Sequence, residues 1–170
     1  MLDQDLLDAA ARLLAACRRR AVLLATAESC TGGLIAAALT AIAGSSDVVD
    51  RGFVTYSNDA KTEMLGVPAA LIAAEGAVSA PVARAMAEGA LARSRATIAV
   101  AVTGIAGPGG GSADKPVGLV WFGLARRGAP AVAERVVFPG DRAAVRAATV
   151  AHALALIGAR LDGPGPQGGA

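Results

Sequence analysis

Residues 21–29, AVLLATAES, form an apolar run that stops at Glu28-Ser29, and after Gly32-Gly33 an Ala-rich apolar run, LIAAALTAIAG, begins. A strand that is apolar on both faces has to be covered on both sides, and a tight glycine turn into a buried helix supplies the first cover. The rest of the chain must then add strands beside it and helices on its far side, which is an α/β plan. Aromatic residues make up only 3% of the chain against 54% apolar content. The core is therefore expected to be Ala, Val, Leu and Ile, which suits close packing of helices on a sheet.

Helical spacing of Leu6, Leu7, Ala10, Leu13 and Leu14 predicts an amphipathic helix over 3–19. It ends at Arg18-Arg19-Arg20, where cations meet the negative end of the helix. A second strand is expected across 48–57, where β-branched and aromatic residues cluster, with Asn58-Asp59 capping a short helix that runs to Gly66. Pro68 and Pro81 suit helix starts, giving a short helix to Ala74 and a longer one over 79–94. ATIAVAVTG at 96–104 is the clearest strand, and a long glycine-rich loop follows it. VGLVWFGLA and AVAERVVF, separated by residues 126–130, read as an antiparallel hairpin, and Asp141 opens a last helix ending near Leu161. The expected architecture is a three-layer α/β/α single domain with a mixed sheet over 1–161, followed by a disordered tail over 162–170.

Sixteen basic residues stand against 14 acidic ones, a net charge of +2, and they are scattered along the chain. Nucleic acid is not an expected partner, because phosphate-backbone binders concentrate their cations on one face. The opening MLDQDLLDAA has early acids and no basic stretch before an apolar run, so it reads as a helix and not as an export signal, which makes cytoplasmic the default location. Gly, Thr, Ser or charge interrupts the apolar stretches before the ~20 residues a membrane helix needs, so no membrane span is expected. Cys17 and Cys30 fit neither a disulfide framework nor a zinc set, and with one histidine a protein-built metal site is not expected.

Strand-to-helix turns are where α/β proteins place reactive groups, because the helix start offers free N–H donors. Glu28 to Gly33 is such a turn. If Ser29 attacks a carbonyl, the backbone N–H groups of Cys30 and Thr31 are candidates to hold the oxyanion, and Gly32 and Gly33 let substrate approach. The bland alternative is that Ser29 or Thr31 caps the helix. His152, the only histidine, falls inside the last helix, so a Ser-His-Asp triad is not favoured. Lys61 is the better base: it falls in the first turn of a short helix, where the dipole disfavours its ammonium form and burial would act the same way. A solvated lysine is the plain alternative. Tyr56 ends the preceding strand, so its phenol could reach the same cleft to relay a proton, or sit in the core with its hydroxyl outward. Cys30 competes with Ser29 as nucleophile, since a thiolate at a helix start is reactive. Thr103, Gly104, Gly107 and Gly109 open a loop with free N–H groups that suits a phosphate or sugar but lacks the P-loop and dinucleotide signatures. Arg142 or Arg146, at the start of the last helix, could reach an anionic ligand or form salt bridges.

Four motifs occur in order: T-A-E-S-C-T-G-G at 26–33, Y-S-N-D-A-K at 56–61, G-A-V-S at 76–79 and T-G-I-A-G-P-G-G-G at 103–111. Together with P-V-G-L-V-W-F-G at 116–123 and G-D-R-x-x-V-R at 140–146, they resemble the competence/damage-inducible CinA C-terminal domain family. The resemblance implies a nicotinamide-nucleotide amidase that converts nicotinamide mononucleotide and water to nicotinic acid mononucleotide and ammonia. It implies Ser29 as nucleophile, Lys61 and Tyr56 as its proton-handling partners, and Thr103 with the following glycines as the lining of the nucleotide pocket. No metal or organic cofactor is implied. Activity of the larger nucleotide-processing domain joined to some family members is not expected. The partner is a small-molecule nucleotide substrate, with self-association into a homo-oligomer reasonable for a Gly/Ala-rich surface with an edge hairpin. A catalytically silent nucleotide-binding domain serving a competence or damage response is the rival reading.

Overall fold

Five short strands pair into one mixed sheet in the computed structural model, which describes residues 3–162. In chain order the elements are α1 (Gln4–Arg19), β1 (Leu24–Glu28), α2 (Leu34–Thr40), β2 (Val49–Val54), α3 (Asn58–Leu65), α4 (Ala69–Glu75), α5 (Ala80–Ala92), β3 (Ile98–Gly104), β4 (Leu119–Arg126), β5 (Ala129–Val137) and α6 (Arg142–Ala159). The strand order is β2-β1-β3-β4-β5. β1 runs parallel to both β2 and β3, while β3–β4 and β4–β5 are antiparallel.

Strand alternation sorts the side chains into two cores. Leu24, Ile98, Val100, Val102, Val120, Phe122 and Leu124 join buried residues of α1, α2 and α6 on one face. Ala25, Ala27, Ala99, Ala101 and Ala125 meet Leu65, Ile72, Val82, Met86 and Ala87 on the other. The alanine face lets α5 lie so close that a Cβ on Gly123 would overlap the carbonyl oxygen of Ala83. The chain therefore forms the expected α/β/α sandwich.

Directionality places the site. β1, β2 and β3 are parallel, and β5 points the same way as β3 because β4 reverses between them. Their C-terminal ends lie along one edge of the sheet, so the segments after them share that edge: the Ser29 turn, residues 55–61, the glycine-rich loop, and Gly140–Arg142. β1 is also where the chain's strand order reverses, the position at which open α/β sheets leave a crevice.

Several local expectations shift. Ser57, not Asn58 or Asp59, caps α3, its hydroxyl accepting from the Ala60 N–H at 3.0 Å. α2 stops at Thr40 instead of running to Gly44, and a 3-10 turn over Ser45–Asp47 follows. The hairpin is tighter than the five-residue separation suggested: β4 runs through Arg126 and β5 begins at Ala129, leaving Arg127-Gly128, with Gly128 at φ +80°. Asp162, assigned to the tail, is held by Arg20 at 2.6 Å, and the rest of that tail, 163–170, lies outside the described residues. α6 is long and apolar enough to cross a membrane by length and composition. Here Val145, Val150, Ala153, Leu154 and Ile157 are spent on the core beneath α1 and the sheet.

Candidate active site

Ser29 extends β1 by one pairing, its N–H donating to the Val102 carbonyl at 3.0 Å. Leu24, Thr26 and Glu28 share one face of β1 by alternation, so the next residue turns toward the opposite layer, which holds α3. On α3, Lys61 and Leu65 are four residues apart and both buried, which aims the lysine at the sheet. The two side chains meet: Lys61 Nζ lies 3.1 Å from Ser29 Oγ. The remaining amine contacts are the backbone carbonyls of Thr55 at 3.0 Å and Ser57 at 3.4 Å.

Lys61 is 1% exposed and Ser29 9%, so the hydroxyl faces what access there is and the amine stands behind it. No carboxylate forms an ion pair with Lys61 among the described residues. Burial pushes the amine below its ordinary value of 10.5, with a weaker opposing pull from Cys30. In the neutral amine two N–H groups can serve the two carbonyls, which leaves the lone pair for the Ser29 hydroxyl proton.

The turn beyond Ser29 is tightly tied. The Gly32 N–H returns to the Ser29 carbonyl at 3.0 Å, and Gly32 and Gly33 take positive φ values of +60° and +99°, where a side chain would be strained. Arg146 reaches from α6 to the Thr31 carbonyl at 2.9 Å. The Thr31 N–H has no hydrogen-bond acceptor among the described residues, and the Cys30 N–H bears only on its own thiol, so both remain candidate oxyanion donors. Cys30 itself is buried, and desolvation raises its thiol to about 11. It stays a thiol near neutral pH, which disfavours it as nucleophile.

Tyr56 lies apart from this pair. It is 60% exposed, and its hydroxyl accepts from Arg142 Nη2 at 2.9 Å, with no bond to Ser29 or Lys61. Arg142 Nη1 also holds the Gly107 carbonyl at 3.0 Å. Those bonds make one rim from Tyr56, the glycine-rich loop and the start of α6. A pocket of about 640 Å³ opens beside it, lined by Ala106, Pro108, Val117, Gly140, Asp141, Arg142, Ala143 and Arg146. Arg146 joins that pocket to the Ser29 turn, and its Nε is buried without a partner. Thr103 is buried and donates to the Ala77 carbonyl at 2.8 Å, which anchors the loop's first residue and leaves its hydroxyl spent. Gly104 ends β3, and Gly109 is exposed in the open part of the loop. His152 lies outside the site, 2.6 Å from Glu134 and packed at a tilt against Phe122, with ring centroids 4.5 Å apart.

The sequence marks Glu28 only as the end of a strand, and Arg146 only as an alternative to Arg142. The alternation of Leu24, Thr26 and Glu28 was the signal for Glu28, since it sends the carboxylate beneath α2. Nothing in the sequence marks Arg146 for its bond to the Thr31 carbonyl 115 residues away.

Comparison with known proteins follows the same lines. The family model of the CinA C-terminal domain matches residues 7–161. The nicotinamide-nucleotide amidohydrolase PncC of Escherichia coli is 49% identical over 154 residues, covering 91% of this chain and 93% of that protein. A putative competence-damage inducible protein of Symbiobacterium thermophilum is 53% identical over 163 residues, but the matched part is 38% of its length. The chain thus spans little more than a third of that longer relative. The crystal structure of competence/damage inducible protein CihA from Agrobacterium tumefaciens superposes with a TM-score of 0.90 at 52% identity, covering 94% of this chain and 97% of that one.

Proposed function

The chain belongs to the CinA C-terminal domain family, and from that premise we propose that it is a nicotinamide-nucleotide amidase using Ser29 as nucleophile and Lys61 as base. The observation that carries the reading is the 3.1 Å contact between a buried, uncompensated amine and a serine hydroxyl at the mouth of a glycine turn. Lys61 takes the Ser29 proton as Oγ attacks the carboxamide carbon. The oxyanion is received by the Cys30 and Thr31 N–H groups, preorganised donors of the kind that stabilise developing charge. Lys61 then returns the proton to the departing ammonia, and a water molecule cleaves the acyl-enzyme with the same amine as base.

Substrate binding falls to the rim. Arg142 and Arg146 line the pocket with positive charge suited to a phosphate, while the glycines from Gly104 to Gly109 offer backbone close to the sugar. Tyr56, held by Arg142, is assigned to that rim and not to the proton path.

The test is ammonia release from nicotinamide mononucleotide by the purified protein without added metal, with Ser29→Ala as the control. Turnover in the parent and none in the variant is the expected result. Calorimetric binding with no ammonia at any pH over roughly 6 to 9 would instead support the silent nucleotide-binding reading, since a base titrating in that span would have been sampled.

A further inference from the structure

Glu28 is fully buried, yet no Lys, Arg or His pairs with it among the described residues. Its carboxylate is compensated entirely by the turn that carries Ser29 and by the first residues of α2. The Thr31 hydroxyl donates to Oε2 at 2.6 Å, the Gly33 and Ile35 N–H groups to the same oxygen at 3.1 and 3.0 Å, and the Ala36 N–H to Oε1 at 2.8 Å. An isolated carboxylate in such a place is costly, and charge-assisted bonds of this number and length offset that cost.

We propose that Glu28 is a positioning residue that fixes the 29–33 turn through Thr31 and the N–H groups of Gly33, Ile35 and Ala36, keeping the Cys30 and Thr31 N–H groups aimed at the carbonyl that Ser29 attacks. This deepens the amidase reading and rests on it for its catalytic consequence. The carboxylate does two things at once. It consumes the free N–H groups at the start of α2, so a ligand cannot be drawn past the reacting position to that helix end. It also clamps the side chain of Thr31, while Arg146 clamps the Thr31 carbonyl from above at 2.9 Å. Thr31 is therefore held through both its side chain and its carbonyl, and donors held in place before reaction are the ones that lower a barrier.

Thr31→Val keeps the shape of the side chain and removes the shortest of the four bonds, and Glu28→Gln keeps the length but turns an NH₂ toward N–H donors. With the proteins assayed well below their unfolding temperatures, kcat should fall roughly tenfold in Thr31→Val and up to about a hundredfold in Glu28→Gln, with KM changed by less than about twofold. Thr31→Ser, which restores the hydroxyl, should recover most of the Thr31→Val loss. Amide hydrogen exchange at Gly33 and Ile35, whose N–H groups bond the same Glu28 oxygen as Thr31, should quicken by at least about tenfold in Thr31→Val while exchange in β3 stays at the parent rate. A folded Thr31→Val with parental kcat, a change confined to KM, or unaltered exchange at those two amides would each overturn the proposal. If the parent protein releases no ammonia, the amidase reading fails on its own, and the exchange measurement still decides whether Glu28 holds the turn.

Discussion

The two sides of the candidate site are built in opposite ways. On one side Glu28 and Ser29 at the end of β1 and Lys61 in the first half of α3 are buried, with Lys61 1% exposed. On the other, Tyr56 is 60% exposed and the loop after Gly107 is open to solvent. Proton transfer between an amine and a hydroxyl needs a neutral amine, and here burial away from carboxylates lowers the lysine toward supplying one. Recognition of a charged nucleotide makes the opposite demand, since its cations must stand where a ligand can reach them. On the proposed reading, the difference teaches that chemistry and recognition are separable, joined mainly through Arg146.

Substitutions can break that separation, and the largest effect is expected at Lys61. Lys61→Arg keeps the charge but cannot give up its proton, so kcat should fall by roughly a hundredfold or more with KM little changed. In the parent, the neutral amine grows in as pH rises through its lowered value, so kcat/KM should climb with pH and level off below 10.5. Stability carries the same sign. Folding favours the deprotonated amine, so this group's contribution is lost as pH falls from 10.5 through the folded value and is constant below it. Steady-state kinetics showing near-parental turnover in Lys61→Arg would remove the base from the mechanism.

A smaller effect of the other kind is expected at the rim. Arg142→Ala releases both Tyr56 and Gly107, and it should raise KM roughly tenfold while kcat stays within about threefold. A kcat loss matching that of Lys61→Arg would merge the two sides. Smallest of all is Cys30→Ala, because on the proposed reading Cys30 contributes its N–H and not its thiol: kcat/KM should drop by less than about threefold. A loss as deep as that of Ser29→Ala would transfer the nucleophile to sulfur.

The run from Leu24 to Glu28, the periodic leucines of α1 and the alternating Ile98 to Thr103 stretch each declared their element, because burial on a strand or helix imposes its own period. Boundaries were less legible. Ser57 outcompeted Asn58 as cap because the chain leaves β2 extended through Ser57, at φ −91° and ψ 165°, and this aligns its hydroxyl with the Ala60 N–H. The hairpin shortened because pairing of β4 with β5 continues to Arg126 and Ala129, a register that local turn residues do not determine.

By itself the chain determined its layers, its turn chemistry and which residue types could react, since these follow from local pattern and from the bonds each side chain can make. Only the tertiary structure decided which of them meet. Lys61 and Ser29 are 32 residues apart, and their contact follows from the parallel register that sets Glu28 beside Val54 and so brings the ends of two strands to one edge. Tyr56, closer in sequence to Lys61, was carried instead to Arg142, because the strand end that turns Lys61 inward leaves Tyr56 facing solvent. Long-range pairing fixes such geometry through many weak contacts distributed along the chain, and no short motif contains them.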